Sequence, residues 1–478
     1  MRRFFFHIFG GLLCAALLSA CGKDEILVRP GSLETLPVPG EEPVTPKDPD
    51  DPDLVDWAAA VSYVFDTALI PEIHLSLTTE QWEQLLAYYD ANHNTQQYVS
   101  CDVRYVKGGE VTEIAQAGLR LKGNTSRRRP EEGGHRRHVH FGLDFHQYVK
   151  DPEHTVKGLR KVDLKWFKDD PAYVREVFCY KLFRDAGVWT AIRDVYVRLW
   201  VKVGSEKEMY YGVYGMMEHI DKNYVRVRKA QFGHKGGNLW KCRYGADFRS
   251  TSADFGVDDN LRDHVYELKT NKDSLSVARE QLRDFIRNLN TLSGTKYNEW
   301  IASVMDVPLF LKTLAVNVAV GMWDDAWNNI NNFYLYFDTA SGKDYHVWWI
   351  PYDYDNTLGT SAQIGVQSDA GRQDPYNWGP ADHPLFGKIL KNKAWRDEYR
   401  RYLQELCGPG GLASAEVAAA QIRAWQGSVA PYVANDTGED MTIEDKPASW
   451  GNHGEYRLLA PGGNNWFSVK AATVAAMR

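Results

Sequence analysis

Four aspartates and a run of asparagines, set at two points of the chain, carry the strongest chemical signal. The stretch MWDDAWNNINNFYLYFD (322–338) holds Asp324, Asp325, Asn329 and Asn332, and WWIPYDYDNTLG (348–359) holds Asp353 and Asp355. Between the two acidic clusters lie two apolar, aromatic-rich runs, 333–337 and 345–350, separated by a loop with turn chemistry at 338–343. The spacing predicts a β-hairpin. In an antiparallel pair, the residue entering the first strand and the residue leaving the second are neighbours at the open end, so Asp324 and Asp325 should face Asp353 and Asp355. Carboxylates crowded in this way repel one another unless a cation neutralises them, and all-oxygen ligands suit a hard divalent ion such as Mg²⁺. A structural Ca²⁺ site and side chains that only shape turns are the other readings of the same residues.

The elements that must position the hairpin come before it. Residues 71–77 alternate like a strand, and Thr78 with Gln81 opens a helix around 82–89 with a cap-like signature. Strands are expected at 118–121 and 138–145, flanking the polar loop GNTSRRRPEEGGHRR, and at 161–167. Asp169, Asp170 and Pro171 are expected to start a helix whose apolar residues Val174, Val177, Phe178, Leu182 and Phe183 keep helical spacing until Gly187 stops it. Strands at 195–203 and 209–216 then lead into Glu218, and helices are expected near 276–289 and 307–322.

This order of parts, with the blocks GLRLKGNTS (118–126), HVHFGLDF (138–145), LRKVDLKWFKDDPAYVREVFCYKLFRDAG (159–187), YYGVYGMMEHID (210–221), GNLWK and YELKTN, resembles the spore coat protein H (CotH) kinase family over about 73–360. The resemblance implies an α+β, atypical protein-kinase-like two-lobe fold. It would have a mixed amino-terminal-lobe sheet with one helix, a small leading α/β unit, and a mostly helical carboxy-terminal lobe, divided as 57–218 and 219–478. It also implies a protein that binds ATP with Mg²⁺ (or Mn²⁺) and phosphorylates serine on a protein substrate. In that reading Asp324 or Asp325 orients the accepting hydroxyl, Asp353 or Asp355 holds the metal, and Asn329 or Asn332 assists. The loop containing Gly123 and Asn124 would cover phosphates, and Glu218 at the connector between lobes would accept hydrogen bonds from a ribose. The chain departs from the family where a lysine usually follows that loop and Arg136 and Arg137 stand instead. Lys122, Arg137, Lys161 and Lys165 are the candidates for pairing with phosphate, and Lys165 is favoured because its strand immediately precedes the helix. Arg175 and Glu176 either orient that helix or form an ordinary surface pair. Tyr352 stands where the family commonly has tryptophan, and the segment before NFYLYF is about two residues longer than usual.

The amino terminus predicts export. Arg2 and Arg3 precede an apolar run at 4–18, too short for a convincing span, and Leu18, Ser19, Ala20 and Cys21 match a bacterial lipobox. Residues 1–20 are read as the signal peptide, Cys21 as the lipidated residue, and 21–56, including PVPGEEPVTPKDPDDPD, as a tether on a membrane-anchored lipoprotein, periplasmic or at the cell surface. A net charge of −7 argues against a general nucleic-acid binder. Cys101, Cys179, Cys242 and Cys407 lack metal-ligand spacing, and His135, His138 and His140 lack a third ligand at suitable spacing. ATP is scarce outside the cytoplasm, so two alternatives stand beside the kinase: a catalytically silent kinase fold that binds a partner, and a surface glycan-binding lipoprotein, for which 16 Trp and 26 Tyr offer stacking faces.

Overall fold

The computed structural model describes residues 63–151, 154–233, 236–258, 263–359, 369–447 and 456–478. Cys21, the signal segment and the Pro/Asp-rich stretch lie outside the described residues. The fold is α+β.

The first half is built on seven strands that close on themselves: β1 (Glu72–Leu77), β2 (Val99–Lys107), β3 (Glu110–Lys122), β6 (His140–Asp144), β7 (Lys161–Trp166), β8 (Asp194–Val203) and β9 (Met209–Glu218). Their order is β1-β2-β3-β6-β7-β9-β8. Closure depends on β1, which pairs antiparallel with β2 and parallel with β8. The expected mixed sheet therefore closes into a barrel, which leaves no unpaired strand edge. The leading segment supplies two of its staves. Alternation explains the packing: Ile73, Leu75 and Leu77 of β1 and Val99, Cys101, Val103 and Tyr105 of β2 all point into the barrel core. Between β3 and β6 the polar loop folds back as a two-stranded ribbon, β4 (Glu131–Glu132) with β5 (His135–Arg136).

Two helices accompany the barrel, one in the leading segment and one after β7, as expected. In α1 (Thr79–Ala91) the capping box is complete: Gln81 N donates to Thr78 Oγ1 at 3.2 Å and Thr78 N to Gln81 Oε1 at 2.8 Å. The second helix, α2 (Arg175–Asp185), begins later than the sequence suggested. Asp169 and Tyr173 have positive φ (63° and 59°), so residues 169–174 form turns, and the Asp170 carboxylate accepts the Val174 and Arg175 amides at 2.9 and 2.8 Å.

The apolar side of α2 joins a second hydrophobic core with the rest of the chain. There, two short helices, α3 (Lys222–Val227) and α4 (Lys229–Phe232), lead to a five-stranded sheet of order β11-β12-β10-β13-β14, made of β10 (Asn238–Cys242), β11 (Phe255–Gly256), β12 (Tyr266–Leu268), β13 (Phe333–Phe337) and β14 (Val347–Pro351). The helices α5 (Leu275–Thr291), α6 (Gly294–Val304) and α7 (Val307–Ala319) lie between β12 and β13 in sequence, and α8 (Phe386–Ile389), α9 (Lys393–Cys407), α10 (Ala415–Val429) and α11 (Trp466–Ala475) follow β14. Helix α9 packs on α7 and α11 on α9. Among the described residues no single helix is long and apolar enough to cross a membrane. The four described cysteines are buried and unbridged.

Candidate active site

The expected hairpin is present. β13 and β14 pair antiparallel with Phe333 opposite Pro351 and Phe337 opposite Val347, so the chain enters through Asn332 beside the exit at Tyr352. Asn332 and Asp353 both take left-handed backbone (φ 58° and 63°), a conformation that Asn and Asp tolerate better than most residues.

Lys165 meets this open end from the barrel. It stands on β7 opposite Gly215 of β9, and its ammonium lies 2.7 Å from Glu176 Oε2, 2.7 Å from Asp353 Oδ1 and 3.5 Å from Asp355 Oδ2. Glu176 occupies the first turn of α2, so one side chain ties strand, helix and acidic loop together. Three further contacts bind α2 to that loop. Arg175 Nε donates to Thr357 O at 3.0 Å, Cys179 Sγ lies 3.3 Å from Thr357 Oγ1, and the Asp353 amide donates to the Tyr180 hydroxyl at 2.9 Å. Arg175 and Glu176 do not form a surface pair: Arg175 is fully buried and paired with Asp170, while Glu176 faces Lys165.

Charge in the cluster is unbalanced. Oxygens of Glu176, Asp353 and Asp355 all lie within 4.8 Å of one another, against a single ammonium. Burial pushes the Asp353 carboxyl up, but Lys165 outweighs it and holds the group below the usual range. Burial also pushes Asp355 up to about 6 and Glu176 well above its ordinary value, and the neighbouring carboxylates add to both shifts. Among the described residues, Glu176 Oε1 is buried with no hydrogen-bond partner.

The two hairpin-entry aspartates are unlike each other. Asp325 is consumed by structure: Oδ1 accepts the Trp327 and Asn328 amides at 3.0 and 2.6 Å, and Oδ2 accepts Asn317 Nδ2 at 2.5 Å and Trp378 Nε1 at 3.1 Å. Asp324 is held by amides only, from Asn329 and Asn331 on Oδ1 and from Asn332 on Oδ2 at 2.9 Å. It also feels the charges of Asp353 and Asp355. Burial is the main reason that both aspartates are pushed up to about 7. Asn329 turns its amide nitrogen to Asp324, and its Oδ1 is buried without a partner among the described residues.

The remaining sequence candidates divide. Lys122, at the end of β3, pairs with Asp163 of β7, which also meets His219 Nδ1 at 2.9 Å. Burial pushes Lys122 down to about 8. Gly123 has φ 101°, and a Cβ there would stand 2.5 Å from Ser126 Oγ, so the loop closes tightly beside Asn124, whose carbonyl accepts the Arg127 amide at 3.2 Å. Arg137 is not drawn to the cluster; it pairs with Glu132 on the ribbon and lies 3.9 Å from Glu439. Three other loop arginines are likewise held by carboxylates, Arg128 by Glu439, Arg129 by Asp90, and Arg136 by Glu131 and Glu206, while Arg127 donates to the backbone carbonyls of Gly123, His93 and Thr95. Glu218 is buried, and its Oε2 accepts the Arg193 amide and Arg228 Nη2, both at 2.7 Å, so that oxygen braces the connector. Lys161 pairs with Asp144 and Asp221 at 3.1 and 3.4 Å. His138 Nε2 lies 2.9 Å from Tyr211 O, and His140 packs on Trp166 at 4.3 Å between ring centres.

Asp163, Asp194, His219 and Lys241 went unassigned in the sequence. For Asp163 a signal existed, because the alternation that sets Lys161 and Lys165 on one strand face sets Asp163 between them. Asp194 had none: it lines a small cavity with Lys165, Glu176, Gly215 and Asp355 only through tertiary folding, and burial pushes it up to about 8.

No curated protein matches the chain. The family model described as CotH kinase protein matches residues 119–458, which takes in β7, α2 and the whole acidic hairpin. The match spans most of the sequence, and the chain belongs to the CotH kinase protein family.

Proposed function

We propose that this kinase-like chain is an exported, lipid-anchored protein kinase that transfers the γ-phosphate of ATP to protein serine in a Mg²⁺- or Mn²⁺-dependent reaction. The observation that carries the reading is the Lys165 ammonium held between Glu176 of α2 and Asp353 beyond the hairpin. A strand lysine, a helix glutamate and a metal-loop aspartate are the parts that protein kinases bring together around nucleotide phosphates. In this reading the barrel, with a core of its own, is the body of the smaller lobe, and α2, whose apolar side packs in the second core, joins it to the larger one.

The donor set fits a hard divalent cation: Asp353 and Asp355 supply carboxylate oxygens, and the buried, partnerless Asn329 Oδ1 supplies a neutral one. When bound, that ion supplies positive charge against the phosphates. Lys165, set in place by Glu176, presents its ammonium to a phosphate oxygen. Asp324, oriented by three asparagine amides and pushed up to about 7, accepts the proton of the serine hydroxyl. Asp325 shapes the turn that carries Asp324. Lipid on Cys21 and the tether at 21–56 place the domain outside the cytoplasm.

The deciding experiment pairs binding with transfer. ATP with Mg²⁺ at about a hundredfold over its dissociation constant should stabilise the wild-type fold by ~2.7 kcal/mol. Asp353→Asn/Asp355→Asn should fold and lose that shift. Transfer to a serine-rich protein, read by mass spectrometry, should require the divalent ion. No shift with ATP and either Mg²⁺ or Mn²⁺ sinks the nucleotide site; binding without transfer leaves a silent kinase fold, and a shift with oligosaccharides alone favours the glycan-binding reading.

A further inference from the structure

Strand β10 places Lys241 on the same face of the five-stranded sheet as Glu267 of β12 and Tyr334 of β13, because Lys241 is opposite Glu267 in one register and opposite Tyr334 in the other, and Arg243 follows just beyond the strand. Glu267 is fully buried, and both its oxygens are taken: Oε2 by Arg243 at 2.6 Å and Oε1 by Lys269. Lys241 is left out of this network. Its ammonium lies 5.1 Å from the centre of the Tyr352 ring and 6.0 Å from that of Tyr334, two rings that meet edge to face. Among the described residues no carboxylate lies within ion-pair distance of it, although Asp353 feels its charge. Burial, with Arg243 adding to it, pushes Lys241 well below its ordinary value. Half-buried over two ring faces, and near a Glu267 carboxylate whose oxygens are already taken, this ammonium has hydrogen-bonding capacity left for an anion. Tyr352, on which it rests, immediately precedes Asp353.

We propose that Lys241 is a second phosphate-recognition lysine, presenting an ammonium from β10 to the nucleotide's phosphates beside that of Lys165 on β7. The proposal rests on the nucleotide reading above. It accounts for a cation that the fold keeps beside Tyr352 with no carboxylate in ion-pair contact among the described residues.

The test uses the purified full chain, wild type and Lys241→Met, with calorimetric titration of Mg²⁺-ATP and of adenosine, and thermal unfolding without ligand. Lys241→Met should weaken Mg²⁺-ATP by roughly tenfold to a hundredfold, as for loss of one charge-assisted hydrogen bond. It should leave adenosine binding and the melting temperature of the ligand-free protein close to those of the wild type. Lys241→Gln, which keeps a polar tip without charge, should show the same loss for Mg²⁺-ATP. Unaltered Mg²⁺-ATP affinity in both variants overturns the proposal while leaving the kinase reading intact. A lower melting temperature with equal losses for ATP and adenosine also overturns it, assigning Lys241 to packing on Tyr352 and Tyr334. Failure of the wild type to bind nucleotide removes both readings.

Discussion

The Lys165 ammonium stands 2.7 Å from Glu176 and 2.7 Å from Asp353, so one barrel side chain sets both the rotation of α2 and the position of the acidic loop. Replacing it with Met leaves Glu176, Asp353 and Asp355 grouped without their counter-charge. Such a break costs up to about 3–5 kcal/mol, and less where a carboxyl can take up a proton instead. Asp355, already pushed up to about 6, is placed to do so. Lys165→Met is therefore expected to be folded but destabilised, more so at pH 8 than at pH 5, and urea titration at the two pH values would show it. An equal midpoint shift at both would contradict the shared-charge account.

Asp324→Asn and Asp325→Asn should behave differently. At Asp324 the asparagine keeps shape and loses the basic oxygen, so nucleotide binding should persist while phosphate transfer falls roughly a hundredfold or more. At Asp325 an amide nitrogen would face donors from Trp327, Asn328, Asn317 and Trp378, which already fill both oxygens. The result should be a loss of stability of about 1–3 kcal/mol. Paired transfer assays and melting curves distinguish the two roles, and equal effects on stability would refute the division.

The pH dependence has a definite sign. Asp324 and Asp325 are each pushed up to about 7, so between about pH 4 and that value the folded chain binds more protons than the unfolded one. Through these two groups stability falls as pH rises to about 7 and then levels. Asp163 and Asp353 are held low, and their contribution runs the other way, lost only as pH falls through the acid range. Between pH 5 and 7 the melting temperature of Asp324→Asn relative to wild type should therefore rise with pH, since the variant lacks the stabilisation that the wild type loses there. Transfer by the wild type should drop about tenfold per unit below the Asp324 inflection.

Processing at the amino terminus is checked in the native host. Cys21→Ser should abolish lipid attachment and release the chain from the membrane fraction. Intact-mass and fractionation measurements identical to wild type would remove the anchor.

The chemistry-bearing hairpin, the capping box at Thr78 and most strand positions were legible in the sequence because they rest on local order: alternation, turn residues and short-range caps. The same locality made Lys165 the best of four lysine and arginine candidates, since it alone precedes the helix directly. What lay beyond local order went unread. The closure of the barrel depends on β1 finding β8, with paired residues such as Glu72 and Arg198 standing 126 positions apart, and no pattern within either strand names its partner. The start of α2 was misplaced because Asp170 folds back on the helix end and positive φ at Asp169 and Tyr173 breaks the apparent periodicity. Arg137 was taken by Glu132 across the ribbon, and Glu218 by the Arg193 amide and Arg228, pairings that the turns between them create. Composition identifies which residues carry charge, but only the tertiary structure decides which charges are already neutralised, because an ion pair forms over a few ångströms whatever the separation along the chain.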